Sequence, residues 1–458
     1  VQTIIPIAAT SEVVFTSFYE RLVRRAGDPP TPTFLLGFDS APIRAEKSLY
    51  DLAAWTRAHD DLTAALIATP SARVIALLDA DEPPTSDDGT AWRQWRARFR
   101  AHLDRYGHAV YNLDFLNPVP ADHPAPLLDT MRFYLSGGGA DPHERQRRAA
   151  ARREAQTAAV LARLDPLRLA VFVRLLRWAQ GIAPVREDSL ADIGLAWPQL
   201  RRMLHKLGRR LVDAAMIDRP DDVFWLHREE ILGDPGARLA GVVEQRKALW
   251  RGQRRTTPPQ LLPKGTWWEM FEGLMPAAST EQTGDVLTGT GASGGQVTAT
   301  ARVLAGPQDF SRMQPGDVLV AGITTPAWTS LFAMASGVVT DIGGPLSHSS
   351  IVAREYGIPA VLGTAVATRR IADGARVHVD GDAGTVTLLD GAGNEPTRAP
   401  DDAPGSHRQR RIVAVALPAA TALGLTRWRR RRRRVRGLRS MGRASYSSSQ
   451  SSQVQNRP

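Results

Sequence analysis

The chain has 458 residues, long enough for two or three domains, and its 43% hydrophobic and 23% charged residues are ordinary for a folded protein. It contains no cysteine, which excludes disulfide bonds, thiolate metal sites and cysteine nucleophiles. The net charge of +11 does not indicate a nucleic-acid-binding fold, because residues 401–458 hold 14 arginines against two acidic residues and leave the rest nearly neutral.

Residues 1–255 are predicted to be mostly helical. In 48–68, leucines and a tryptophan recur at three- to four-residue spacings among charged residues, as in an amphipathic helix. Alanine and arginine, both strong helix formers, dominate 144–164, and an apolar stretch cut by arginines follows at 167–180. The same pattern continues through 189–217. The arginines in this part are interpreted as solvated helix faces.

A change of composition separates this part from the next. Residues 256–287 are rich in proline and break the helical period, so we predict a linker or hinge there. From 288 to 390, short Val- and Thr-rich runs flanked by glycine or proline predict strands, and 376–389 predicts a hairpin. Helical segments near 326–334 and 348–356 complete a compact α/β domain.

The remainder, 391–458, is predicted to be a low-complexity, disordered, Arg-rich tail. It includes an apolar run at 412–426, interrupted by Pro418, that is shorter than the ~20 residues a membrane span needs. The first residues lack the basic start and cleavage site of a secretory signal. We therefore expect a cytoplasmic location.

The segment 340–363, TDIGGPLSHSSIVAREYGIPAVLG, carries the clearest chemical signal. Ser347 is a good N-cap for a helix that begins at His348, and Gly357 is placed to end that helix. Amides at a helix start attract a phosphoryl group, and their field favours a neutral imidazole whose lone pair can attack phosphorus. Taken alone, the pattern more often describes a capped helix with an exposed histidine.

This segment, with GDVLVAGITTPAWTSLFAMASGVVTD before it and DGARVHVDGDAGTVTLL after it, resembles the swivelling phosphohistidine domain of PEP-utilising enzymes. That family includes phosphoenolpyruvate synthase, pyruvate phosphate dikinase and rifampicin phosphotransferase. The resemblance covers about 288–389 and implies that His348 is the catalytic, phosphorylated residue in a domain that moves between two active centres. The expected phosphate-binding and supporting residues are Gly343, Gly344, Ser347, Ser349 and Arg354.

A second resemblance covers three segments of the helical part: FLLGFDSAPIRAEKSLYDLA, VREDSLADIGLAWPQLRRMLHKLGRRLV and RPDDVFWLHREEI. They are similar to the helical domain of rifampicin phosphotransferases, which receives the acceptor substrate. The resemblance implies an acceptor region that includes Arg186, Glu187, Asp188 and Asp222. For the aspartates, a role as helix caps is an equal alternative.

The chain also departs from the family pattern. Leu346 stands where the dikinases carry a regulatory threonine. No segment before 255 resembles the ATP-grasp domain that charges the histidine, none after 390 resembles the PEP-binding barrel, and no P-loop motif occurs. The resemblance implies ATP and Mg²⁺, which we expect on an ATP-grasp partner subunit or missing domain, with no metal site in this chain.

We therefore predict a phosphotransferase component, inactive without its ATP-grasp partner, that carries a phosphoryl group on His348 from an ATP site to a hydroxylated small-molecule acceptor. The alternative is a non-catalytic relic or adaptor whose tail binds polyanions weakly, without specific nucleic-acid recognition. His102 and His108 are interpreted as interior or surface residues rather than metal ligands.

Overall fold

The computed structural model describes a helical part, residues 4–253, and an α/β domain, residues 284–389. The described residues are 4–80, 82–84, 89–233, 237–253, 282, 284–345 and 347–389. Most of the predicted linker, and the whole predicted tail, therefore lie outside them, as does Leu346.

The helical part is built from helices joined by short connections. They are α1 Ile4–Phe18, α2 Ala41–Thr56, α3 Asp60–Ala68, α4 Ser71–Ala80, α5 Gly89–Tyr106, α6 Ala125–Leu135, α7 Pro142–Leu161, α8 Pro166–Ala191, α9 Trp197–Asp213, α10 Arg228–Ile231 and α11 Ala240–Gln253. This confirms the predicted helical class, although the segment 48–68 is divided between α2 and α3 rather than forming one helix.

An aromatic stripe on α5 organises the main core of the helical part. Trp92, Trp95 and Phe99 recur at helical spacing and are almost fully buried. Their rings stack, with centroids 5.1 Å apart for each successive pair. Leucines of α2 and residues of α6 close over them, so α5 is fixed against both neighbours.

The arginines of the helical part are not all solvated, contrary to the sequence interpretation. Arg147 and Arg148 do pair with Glu144 at the surface of α7. Arg145, on the same helix, turns inward instead, and its side chain is largely buried against a carboxylate of α2. Arg201 of α9 is buried as well. Some arginines within a run of charged residues are therefore buried and connect one helix to another.

The α/β domain contains one mixed eight-stranded sheet with the order β1-β8-β7-β3-β4-β5-β6-β2. The strands are β1 Val286–Thr288, β2 Thr290–Ser293, β3 Gln296–Leu304, β4 Val318–Ala321, β5 Gly337–Thr340, β6 Ala360–Leu362, β7 Arg376–Asp380 and β8 Thr385–Leu388, and the helices are α12 Thr329–Phe332, α13 His348–Tyr356 and α14 Ala367–Arg370.

The sheet is rolled rather than flat. Its two end strands, β1 and β2, are joined by the single residue Gly289, so the ends of the sheet must lie close together. The long strand β3 serves both halves, because its first part pairs antiparallel with β7 and its last part pairs parallel with β4. Strands β3 to β8 were predicted from the Val- and Thr-rich runs, and β7–β8 is the predicted hairpin.

The helix that carries His348 crosses between two parallel strands. Strands β4, β5 and β6 are parallel, and α13 connects β5 to β6. The loop from the carboxyl end of β5 to α13 therefore lies at the edge where open α/β sheets usually bind ligands. The other side of α13 packs against the helical part.

A tyrosine of the helical part anchors the α/β domain. Tyr111 is buried among α/β-domain side chains, and its ring lies 5.3 Å from Phe310 in an edge-to-face arrangement. The Trp328 indole N–H donates to the Tyr111 carbonyl at 2.8 Å. The two parts thus share one stretch of apolar core.

None of the helices in the described ranges combines the length and the apolar character needed to cross a bilayer.

Candidate active site

The ends of α13 are set by the residues that the sequence indicated. Ser347 is in an extended conformation, and its hydroxyl accepts a hydrogen bond from the Ser350 N–H at 3.4 Å. Gly357 ends the helix with φ +68°, a left-handed conformation that glycine adopts without a Cβ penalty. His348 is therefore the first helical residue, as predicted.

The glycine turn before α13 is held by backbone geometry and by one serine. Gly343 has φ +151°, and a Cβ there would lie 3.3 Å from three neighbouring side-chain atoms. Gly344 faces open space instead, with nothing within 4 Å of where its Cβ would be. The Ser350 hydroxyl donates to the Gly344 carbonyl at 2.6 Å and fixes the turn to the helix.

Two further predicted support residues have partners inside the protein. The Arg354 guanidinium donates to the carbonyl of Ala292 at 2.6 Å and to that of Pro345 at 2.8 Å. The hydroxyls of Ser349 and Thr324 lie 2.7 Å apart. Both residues therefore brace the start of α13, and burial lowers the pKa of Arg354 to about 10.

His348 lies between the helical part and the α/β domain. Its imidazole Nδ1 is 2.7 Å from the Glu187 carboxylate, at the end of α8, and its Nε2 is 3.4 Å from the hydroxyl of Thr329, the first residue of α12. The residue is only 5% exposed. The alternative of an exposed histidine on a capped helix does not describe this arrangement.

Glu187 is ionised despite being buried. Burial raises the pKa of its carboxyl. Attraction to His348, the hydrogen bond with His348 and the charge of Arg186 together lower the pKa by more than burial raises it, so the net shift is downward. A carboxylate at 2.7 Å is an acceptor, so it holds the imidazole proton on Nδ1. The lone pair is then on Nε2, the nitrogen that faces Thr329.

Of the other residues of the predicted acceptor region, Arg186 pairs with Glu187 at 3.2 Å, whereas the two aspartates do not converge on His348. Asp188 accepts the N–H of Ala41 at 2.6 Å, at the start of α2, and so acts as a cap supplied by another helix. Asp222 accepts the N–H of Arg219 at 3.0 Å and pairs with Lys247 at 2.7 Å. Both contacts favour the capping role that the sequence had left open.

A cleft of about 700 Å³, including space open to solvent, lies on the Nδ1 side of His348; we call it the Glu187 cavity. Its walls are mostly apolar, but they include five charged residues from both parts of the protein, Glu12, Arg186, Glu187, Arg354 and Glu355. Burial raises the pKa of Glu12 and, to about 7, that of Glu355.

A second cleft of about 480 Å³ lies on the Nε2 side; we call it the His102 cavity. Thr329, whose hydroxyl faces Nε2, is part of its wall. The wall also holds Glu46, His102, Tyr106 and Ser330 among apolar residues. Thr329 therefore contacts Nε2 of His348 and also forms part of the wall of this cavity.

Within the described ranges, no three His, Asp or Glu side chains come close enough together to hold a metal ion. The described residues thus do not fit the Mg²⁺ that the resemblance implies.

Sequence reasoning missed Thr329 and His102. Thr329 follows a proline-initiated turn and gives no pattern of its own. His102 does leave a signal, since it extends the aromatic stripe of α5, three residues after Phe99 and four before Tyr106. A polar ring in such a stripe is more often core than catalytic, which is how it was interpreted.

Two domain models match the chain. The one described as the PEP-utilising enzyme mobile domain matches residues 313–384, which include His348. The one described as the fourth domain of rifampicin phosphotransferase matches residues 16–187 and ends at Glu187. The two residues that meet through Nδ1 thus come from two separately recognised domains.

Several curated proteins are similar to this chain, and two of those given below are named phosphotransferases. The chain is 38% identical over 216 residues to an uncharacterised protein of Mycobacterium tuberculosis, covering 47% of this chain and 24% of that protein. It is 30% identical to an uncharacterised phosphotransferase of Bacillus subtilis, over 66% of this chain and 37% of that protein. It is 32% identical to the rifampicin phosphotransferase of Streptomyces sviceus, over 64% of this chain and 34% of that protein. The chain therefore spans about a quarter to two fifths of the length of these relatives.

Proposed function

We propose that this chain, which belongs to the PEP-utilising enzymes, is a phosphotransferase component that carries a phosphoryl group on His348. The observation that carries the proposal is the environment of the imidazole. Glu187 holds the proton on Nδ1, and Nε2 keeps its lone pair and faces Thr329, a residue that also lines the His102 cavity. These are the properties of a nitrogen nucleophile that both accepts and releases a group.

In the first step, His348 takes the phosphoryl group from a donor. The Nε2 lone pair forms a bond to the donor phosphorus, while the bond from phosphorus to the leaving oxygen breaks and its electron pair goes to that oxygen. The product is a phospho-imidazolium with a proton on Nδ1, and the negative Glu187 carboxylate stabilises its positive charge once the α/β domain has docked on the helical part again.

The donor site belongs to another domain or subunit. A family-type ATP-grasp site would supply the phosphoryl group of ATP with Mg²⁺ neutralising its charge. Because His348 is buried between the two parts here, it reaches such a site only when the α/β domain moves away from the helical part. This requirement supports the swivelling motion and a hinge in 256–287, residues that lie outside the described ranges.

In the second step, the docked domain delivers the group to a hydroxylated small molecule in the His102 cavity. The acceptor oxygen forms a bond to phosphorus, the P–N bond breaks, and its electron pair returns to Nε2. Since Nδ1 keeps its proton, the imidazole leaves as a neutral ring. The helical part thereby serves as the acceptor domain.

The compartment we propose is the cytoplasm, where ATP is available.

The alternative, an adaptor that binds polyanions through its tail, has no observation in its favour, because the tail lies outside the described residues.

The function is tested by charging the full chain with phosphoramidate, a small phosphoryl donor that needs no partner protein. We expect an acid-labile, alkali-stable phosphoryl group that peptide mapping assigns to His348. The His348→Gln variant should lose it, while His378→Gln, a control on strand β7 of the same domain, should keep it. Equal labelling of the His348→Gln variant would refute the proposal.

A further inference from the structure

We propose that His102 is the general base that takes the proton from the acceptor hydroxyl, and that the acceptor is a small molecule without net charge. This inference rests on the proposed function, since it needs a phosphoryl group on His348. It adds a second histidine to the reaction and a chemical class for the substrate.

The position of His102 fits the direction in which the phosphoryl group must leave. Thr329 lines the His102 cavity and its hydroxyl faces His348 Nε2, whereas His348 itself is not part of the cavity wall. An acceptor in this cavity would therefore meet the phosphoryl group beside Thr329, on the side opposite Glu187. The neighbouring Ser330 hydroxyl oxygen is buried without a hydrogen-bond partner among the described residues. An orphaned buried hydroxyl in a cavity wall indicates a ligand that supplies the missing bond.

The His102 ring is held so that one nitrogen is available. Nδ1 lies 3.0 Å from the Ser48 hydroxyl, and the ring is kept in place by Phe99 and Tyr106 on the same helix. Nε2 has no hydrogen-bond partner among the described residues. With the Nδ1 proton donated to Ser48, Nε2 carries the lone pair that a base requires. Burial lowers the pKa of His102 to about 4, so the ring is neutral at pH 7.

The two cavities differ in the charged residues of their walls, and so they favour different kinds of ligand. In the His102 cavity, the carboxylate of Glu46 is already paired with Arg145 and accepts the Tyr134 hydroxyl at 3.0 Å. The Glu187 cavity, in contrast, is lined by several charged side chains. A charged acceptor in the His102 cavity would be desolvated without an opposite charge, so an uncharged acceptor is favoured there.

The proton balance of the transfer closes with His102. The acceptor oxygen forms the P–O bond while the P–N bond to His348 breaks and returns its electrons to Nε2. The hydroxyl proton moves to Nε2 of His102, which becomes an imidazolium and releases the proton to solvent when the domains separate. No further reactant is needed.

The experiment uses the full chain charged with phosphoramidate and then mixed with defined probes, with loss of phosphohistidine and formation of phosphate ester followed by ³¹P NMR. The probes are uncharged (benzyl alcohol, phenol), anionic (4-hydroxybenzoate) and cationic (tyramine); 4-nitrophenol, which is partly ionised near neutral pH, is a separate probe with an acidic hydroxyl. We expect the uncharged probes to discharge the phosphoenzyme about tenfold faster than the charged ones. No discharge above the rate in water alone, or faster discharge by a charged probe, overturns the inference.

His102→Gln is expected to lower discharge to benzyl alcohol about tenfold, less than the usual range for a lost base because a ring with a pKa of about 4 is a weak base, with charging of His348 unchanged. The loss should shrink for 4-nitrophenol, whose proton leaves more readily, and imidazole should restore activity to His102→Ala. A purely structural role would lower all acceptors equally and would not respond to imidazole; either result refutes the base assignment.

A matched pair of substitutions distinguishes the cavities. Ala45→Leu on α2 fills the His102 cavity, and Ala183→Leu on α8 fills the Glu187 cavity, with little cost in helix propensity. We expect at least about a tenfold loss of discharge for Ala45→Leu and a change within about twofold for Ala183→Leu; the reverse order overturns the inference. A wild-type chain that is never charged on His348 refutes the proposed function instead.

Discussion

At the scale of single residues, the pair formed by Glu187 and His348 determines what the chain can do. Glu187 is buried and still ionised, because the imidazole and Arg186 outweigh the effect of burial on its pKa. The carboxylate fixes the tautomer and the orientation of the ring, which is the role of the orienting acid in catalytic triads. It thereby decides which nitrogen reacts.

Replacing Glu187 by Gln tests this assignment. The amide keeps the volume but loses the charge that keeps Nδ1 protonated in the phospho-imidazolium. A ring without that proton is a poorer leaving group, so we expect discharge of phospho-His348 to slow by about 10²- to 10³-fold. Glu12→Gln is the matched control, since Glu12 lines the same cavity and has no hydrogen bond with His348. Rates are measured by ³¹P NMR on the charged proteins; equal rates for the two variants would contradict the role of Glu187.

The sequence identified both partners but not their contact. Both were predicted by resemblance, His348 as the phosphorylated residue and Glu187 as part of a possible acceptor region. The two lie 161 residues apart along the chain, and only the docking of two domains brings them to 2.7 Å. No local pattern encodes such a pairing, and for the same reason Thr329 and His102 were not predicted as site residues.

At the scale of elements, the turn between β5 and α13 places His348. Its two glycines differ physically: Gly343 needs a positive φ in a crowded position, whereas Gly344 has open space around it. The sequence did not distinguish them, since both were expected among the phosphate-binding and supporting residues. The structure assigns Gly343 to the turn itself and leaves the space at Gly344.

Alanine substitutions separate the two glycines. Gly343→Ala puts a Cβ into a positive-φ position and is expected to lower the free energy of unfolding by about 1–3 kcal/mol. Gly344→Ala should change it by less than about 1 kcal/mol, because no strain or clash arises. Denaturant unfolding of the full chain measures both. Equal losses would show that the turn geometry does not distinguish them.

Short elements also explain what was missed in the fold. Strands β3 to β8 have Val- and Thr-rich runs and were predicted, whereas β1 and β2 have three and four residues around a glycine and show no alternation. Their pairing with β8 and β6 supplies the ladder that defines them. Tertiary pairing, not local propensity, makes these strands.

At the scale of the whole molecule, docking of the α/β domain on the helical part assembles the site. Besides the contact of His348, the end of α13 is held by the Gly37 N–H, which donates to Glu355 at 2.6 Å, and by Arg145, which lies 3.7 Å from the centre of the Tyr356 ring. Burial at this interface raises the pKa of Glu355 to about 7, although the Gly37 N–H and Arg145 themselves act to lower it.

Docking should therefore weaken as the pH rises through neutrality. The raised pKa has burial as its main cause, opposed by the Gly37 N–H, Arg145 and Arg153. The folded protein holds the Glu355 proton where the unfolded chain has lost it, so this stabilisation is complete below about pH 4.5 and is lost as the pH passes 7. Relative to Glu355→Gln, the wild type should lose on the order of 2 kcal/mol of unfolding free energy between pH 5 and 8. Parallel pH profiles for the two proteins would contradict it.

The central claim, that His348 carries the phosphoryl group on the nitrogen opposite Glu187, is tested most directly by NMR. The full chain is labelled with ¹⁵N-histidine, charged with phosphoramidate, and examined for ³¹P–¹⁵N coupling in wild type and in His348→Gln. The account predicts coupling to Nε2 of His348 and its loss in the variant. Coupling to Nδ1, or to another histidine with His348 unmodified, would contradict it.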